Sequence, residues 1–198
     1  TWEDATMKHP TALNLNWPSM HFNFRKDAKK KEKDQRDNYN KAIREIDILV
    51  RDVEAYHQRR TVKERQADQK QLSDLRLESM IPFVIHHEPI HIRANDIRQI
   101  EAAVKWANKH NFNIVIVGGQ DAWRIAELLV KYNIPVILMS IQTTPTRRFE
   151  PIHTPYKIPT MLHEAGVKFC ISTDPGYPFD GHVRTLPNEA MRAAAWGL

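Results

Sequence analysis

Apolar positions change their spacing near residue 85. From Arg25 to about Arg60 the residues favour helix, and Ile43, Ile46, Leu49, Val50 and Val53 recur three and four apart. That spacing predicts one long amphipathic helix. A second helical pattern starts near Glu64, carries Leu72, Leu75, Leu77 and Met80, and is predicted to end before Pro82. Beyond it, short β-branched runs alternate with helical stretches. Ile90 to Ala94, Ile114 to Val117, Val136 to Met139 and Lys168 to Ser172 read as strands, each nearly all apolar. Between and after them, Asp96 to Lys109, Asp121 to Tyr132, Tyr156 to Glu164 and Asn188 to Trp196 read as helices, with Asp96 and Asp121 placed as caps or first-turn acids. The opening Thr1 to Phe24, with Pro10, Pro18, Trp2 and Trp17, reads as an irregular segment lying against a larger body.

Strand and helix in alternation is the pattern of βα units on a parallel sheet. Four such units cannot close a barrel, which needs eight strands, and an open four-stranded sheet leaves an edge bare. The expected fold class is therefore α/β, a partial TIM-type barrel of about four parallel βα units preceded by a long charged helix, with a partner half missing. A small doubly wound domain is the runner-up, and local pattern does not separate the two. With 198 residues, 41% of them hydrophobic, one core is expected. Within it, 25–66 is a charged helical segment and 67–198 holds the βα units. A chain that starts at Thr1 without methionine and stops at Gly197-Leu198 reads as a piece of something longer.

The formal charge of +5 raises the question of an anionic partner. Basic residues concentrate between Arg25 and Lys70, but Asp27, Glu32, Asp34, Asp37, Glu45, Asp47, Asp52 and Glu54 interleave with them. Mixed signs without aromatic interleaving describe a solvated helix face, not a nucleic-acid surface. The single cysteine, Cys170, excludes an internal disulfide and is expected to be a buried thiol in the run Val167 to Ile171. No apolar stretch approaches the roughly 20 residues of a membrane span.

His87-Glu88-Pro89-Ile90-His91 matches the H-E-x-x-H expression of zinc proteases. That motif needs a helix, and Pro89 inside one would cost about 3 kcal/mol, so a polar lead-in to a strand is the better reading. Gly118-Gly119-Gln120-Asp121 follows a strand and opens a helix, where backbone N–H groups can receive an anion. A glycine pair also suits a tight turn with no ligand. Ser172-Thr173-Asp174-Pro175-Gly176, followed by His182 and Arg184, is the sharper constellation. A carboxylate at the carboxyl end of a barrel strand lies where such enzymes place their chemistry and can bind a metal or accept a proton from water. Asp174 is the best single candidate.

Taken together, Asp74-Leu75-Arg76-Leu77-Glu78, Pro89-Ile90-His91-Ile92-Arg93-Ala94-Asn95 with Asp96-Ile97, and Ile114 to Gly119 with Asp121-Ala122-Trp123 resemble the imidazolonepropionase-like branch of the amidohydrolases. His163-Glu164-Ala165-Gly166-Val167-Lys168, Ser172-Thr173-Asp174, and Arg184-Thr185-Leu186-Pro187 with Glu189-Ala190 and Gly197-Leu198 are similar to that family's last strand and following helix. Thr11-Ala12-Leu13 and Trp17-Pro18 also fit.

The resemblance implies a distorted TIM barrel whose fifth to eighth strands are the four named above, the first four lying upstream of Thr1. It implies hydrolysis of a non-peptide C–N bond, in an amide or cyclic amidine, by an activated water. Asp174 stands where the family's catalytic aspartate stands, and Arg93, Asn95, Gln120 and Arg184 are the implied substrate-binding residues. Family members also use histidines after the first, fifth and sixth strands to hold a divalent metal such as zinc. Here Arg93 occupies the fifth-strand position and Val117-Gly118-Gly119 the sixth. Arginine stays a protonated donor at neutral pH and glycine has no ligand atom, so the usual metal site is degraded and this chain is assigned no metal ligand. Three functions follow: a divergent hydrolase with its remaining ligands upstream, a non-catalytic barrel relative that binds a small molecule or a sister subunit, or an interaction protein working through the charged helix. The missing barrel half and a further copy of the chain are the implied protein partners, and the compartment, exported or cytoplasmic, stays open.

Overall fold

The computed structural model describes residues 10–22, 32–64, 73–173 and 184–198. Five strands, β1 (Leu13–Asn16), β2 (Ile90–Ala94), β3 (Ile114–Gly118), β4 (Val136–Met139) and β5 (Phe169–Ser172), form one sheet whose spatial order equals their sequence order. The parallel register of β3 to β5 runs Val117 beside Ile137 beside Cys170. Bonds from Trp17 N–H to the Arg93 carbonyl and from Gly119 N–H to the Ala94 carbonyl set Asn16 beside Arg93 and Arg93 beside Val117. A doubly wound sheet reverses direction at a switch point, and this order has none. It is the order of successive strands around a barrel, so the α/β, partial TIM-type reading holds and the runner-up falls.

β1 corrects the reading of the opening segment as irregular. Leu13-Asn14-Leu15-Asn16 alternates for only four residues, and asparagine is depleted in strands, so the local signal is weak. Pairing to β2 supplies what propensity lacks.

The chain divides into two compact units. The first comprises Thr1–Leu13, Pro18–Ile90 and Asn111–Asn113. Its described part is dominated by α1 (Glu32–Glu64) packed on α2 (Leu75–Val84). Val50, Val53 and Tyr56 of α1 are buried, as are Leu77, Ile81, Phe83 and Val84 of α2. From Glu32 to Leu49 no residue of α1 is buried, which matches its charged sequence. Asp74 caps α2, its carboxylate accepting the N–H groups of Arg76 and Leu77. Residues 65–72 of the expected helical pattern lie outside the described residues. The helix does not end before Pro82 but runs through it, since burial of Phe83 and Val84 offsets the one backbone donor that proline lacks.

The second unit, Asn14–Trp17, His91–His110 and Ile114–Leu198, carries the rest of the sheet with α3 (Ile97–His110), α4 (Ala126–Lys131), α5 (Thr154–Glu164) and α6 (Leu186–Ala195). Ile100, Ala103, Val104 and Ala107 of α3 are buried at helical spacing. Trp17, at the end of β1, meets Trp106 of α3 edge-on with centroids 5.6 Å apart. The expected helix from Asp121 splits into a 3-10 turn (Ala122–Ile125) and α4, because Ala122 and Arg124 donate three residues back, to Gly119 and Asp121.

Candidate functional site

Alternation along the strands separates two faces. Ile92, Ala94, Ile116, Val136 and Leu138 are at most 3% exposed. The opposite face presents a row of Asn16, Arg93, Val117, Ile137 and Cys170, none of them buried. Cys170 is exposed, which corrects the expectation of a buried thiol. Its strand lies at the edge of the sheet and its side chain on the open face, where an apolar run gives no cover. His91 stands on the same face as Arg93, half-buried, and burial lowers its pKa.

His87 has φ of 56° and Ile90 begins a strand, so His87 to His91 is a turn and strand entry with no metalloprotease helix. Gly118 and Gly119 have φ of 101° and 62°, and a Cβ on Gly119 would lie 2.7 Å from Val136 Cγ1. Their glycines are required by the turn. The backbone donors nearby are already used: Gly119 N–H bonds the Ala94 carbonyl, Asp121 N–H the Asn95 carbonyl and Ala122 N–H the Gly119 carbonyl. An anion cradle at this turn is thereby left without those three donors.

Asp121, 1% exposed, does not cap its own helix as expected. Its carboxylate accepts the first N–H of α3, from Ile97, at 3.1 Å, and takes both Arg147 guanidinium nitrogens at 2.7 Å. A carboxylate bound on two sides has nothing left for the helix that follows it. Arg147 also bonds Glu150 at 3.0 Å, and Arg124 pairs with Glu150 while lying 3.6 Å from Asp121. Hydrogen bonding to Asp121 first, then to Glu150, raises the Arg147 pKa. Burial pushes the Glu150 carboxyl up, but the hydrogen bonds from Arg124 and Arg147 outweigh it and leave it below the usual range. These two carboxylates and two arginines tie the β4–α5 loop to the β3 turn. Glu189 of α6, 4% exposed, holds the start of the same loop by accepting from Ser140 Oγ at 3.1 Å and Ile141 N–H at 3.0 Å. Asp96 does cap α3, accepting Arg98 N–H at 2.9 Å.

Of the expected site residues, Arg93 and Asn95 lie together at the carboxyl end of β2. Gln120 follows β3, but its side-chain carbonyl accepts from Thr146 Oγ1 at 3.4 Å, which turns it to the β4–α5 loop. Arg184 is exposed before α6 and has no ion-pair partner among the described residues. Asp174 and His182 lie outside the described residues. Sequence reading missed Arg147, Glu150 and Glu189 as anchors, since partners 26 and 48 residues apart leave no local spacing to detect. The described residues do not make up a metal site: no group of three or more His, Cys, Asp and Glu among them could hold an ion, and Arg93 is cationic.

No family model matches this chain, and no curated protein matches it in sequence. A solved structure, an amidohydrolase from Thermotoga maritima, superposes with a TM-score of 0.69 at 19% identity, covering 100% of this chain and 50% of that one. The chain thus spans about half the length of that relative. At this identity the likeness concerns the fold, and it agrees with the sequential parallel order of the sheet: the chain is an α/β protein with the architecture of a partial TIM-type barrel.

Proposed function

We propose that this chain is the carboxyl-terminal part of an amidohydrolase-like hydrolase of the imidazolonepropionase-like branch, cleaving a non-peptide C–N bond in an amide or cyclic amidine. The observation that carries the reading is the row at the carboxyl half of the sheet, where Asn16 and Arg93 stand on the open face of successive parallel strands. Water oxygen forms the new bond to the amide or amidine carbon while Asp174 takes its proton. That proton passes to the departing nitrogen as the C–N bond breaks. Arg93 holds an anionic group of the substrate, and the side-chain amide of Asn95 orients its polar edge together with the amide nitrogen of Gln120, whose carbonyl is taken by Thr146. Arg184 attracts the anion from the rim. The family's metal would polarise the carbon and activate water; its remaining ligands would lie upstream, and no step above uses them.

A second reading, a barrel relative that binds a small molecule or a partner subunit without turnover, is favoured by Arg93 standing where the family uses a ligating histidine. A panel of amides and cyclic amidines offered to the full-length protein separates the two. Release of amine or ammonia supports the hydrolase, whereas saturable binding with no release supports the second reading.

A further inference from the structure

We propose that the groove between the β4–α5 loop and α5 is a second binding site, built for a planar aromatic carboxylate. Its volume is about 310 Å³, and Trp123, Phe149, His153, Thr154, Lys157 and Met161 line it. None of Arg93, Asn95 and Gln120 does, so it stands apart from the substrate residues proposed above. The volume lies at the lower end of the range for small-molecule sites, and aromatic walls with a few polar groups are their usual lining.

Phe149 is 79% exposed and its neighbour Ile152 is 69% exposed. An exposed ring on a loose loop would be unremarkable, but Phe149 lies between Arg147 and Glu150, both fixed in the ion network with Asp121. The ring is therefore held out into water by a stiff support, leaving its apolar area available to a ligand. Trp123, in the same lining, has the Arg124 guanidinium 4.2 Å from the centre of its indole. The lining thus offers a flat ligand ring two aromatic side chains.

The charge selects an acid. Of the groove's own charged walls, Arg124 and Glu150 pair with each other, and Glu150 is held further by Arg147. Lys157 is left as the groove's cation with no carboxylate partner among the described residues, its ammonium resting 5.7 Å from the Trp196 ring. His153, stacked on the same indole at 5.2 Å, adds a polar ring beside it. One ammonium suits a single carboxylate; a phosphate dianion would call for the forked donors of arginine or a nest of backbone N–H groups.

Calorimetric titration of the full-length protein with 2-naphthoate and with uncharged 2-naphthamide tests the site. One saturable site is expected, with naphthoate bound about tenfold more tightly than the amide. Lys157→Gln should erase that preference, Phe149→Ala should weaken both ligands, and Arg93→Gln should change neither. Absence of saturation up to about 5 mM, equal affinity for acid and amide, or loss of binding in Arg93→Gln with Lys157→Gln unaffected would each overturn the proposal. Because the readout is binding and Arg93→Gln reports on the sheet edge, these outcomes are independent of whether the protein hydrolyses anything.

Discussion

The two faces of the sheet in the second unit are made from the same strands and differ in almost every physical respect. One is dry: Ile92 and Ile116 are completely buried and Val136 and Leu138 nearly so. The other, one residue out of phase, carries Asn16 and Arg93 at one side and Val117, Ile137 and Cys170 at the other, all accessible. A parallel sheet in a finished fold is covered on both faces. The contrast teaches that the described helices of this unit cover one face of its sheet, and that the polar strand residues lie on the other, the side a barrel encloses.

The largest expected effect that sharpens the contrast comes from truncating the dry face. Ile92→Ala or Ile116→Ala should each cost about 3 kcal/mol, from lost burial plus a cavity, whereas Val117→Ala in the same chain should cost under about 1 kcal/mol. Urea unfolding midpoints decide it, and equal losses on the two faces would break the comparison. Arg147→Ala should cost a similar amount, about 3 kcal/mol, because it leaves the Asp121 carboxylate buried without its bidentate partner; Arg93→Gln, on the open face, should fall well below that.

Acidity gives an intermediate effect. Glu150 has a depressed folded-state pKa, so its contribution is present above the unfolded carboxyl value of about 4.3 and is lost as pH falls through the folded one. His91 is also depressed, by burial, so protonation favours the unfolded state and stability should decline as pH falls below about 6.5. His91→Gln should flatten the stability profile between about pH 5 and 7, and an unchanged slope would contradict it. Smallest of all is the exposed Glu32–Arg36 pair on α1, 2.8 Å apart, whose removal should cost under about 0.5 kcal/mol and matter less in high salt.

Much of the fold was legible because β2 to β5 are short apolar runs between amphipathic helices, a pattern that tertiary context does not overturn. Their sequential order was not legible in local pattern, since nothing local distinguishes a barrel segment from a doubly wound sheet; the family resemblance implied it. β1 escaped because its asparagines mask a four-residue alternation that pairing stabilises. Cys170 was misplaced because an apolar run at an edge strand looks like one at the centre. In the candidate site, Arg93 and Asn95 could be placed from the strand that carries them. Asp121 was read as a local cap, whereas it serves Ile97 and Arg147 at distances of 24 and 26 residues along the chain. Chemistry built from such long-range pairs has no periodicity for sequence reading to follow.

The most direct test of the functional account is the turnover of a C–N substrate by the full-length protein beside its Asp174→Asn variant, with far-ultraviolet circular dichroism to verify that both are folded. The account predicts loss of amine release by at least about a hundredfold, the scale of a removed general base, with secondary structure retained. Undiminished release in a folded Asp174→Asn protein would contradict it.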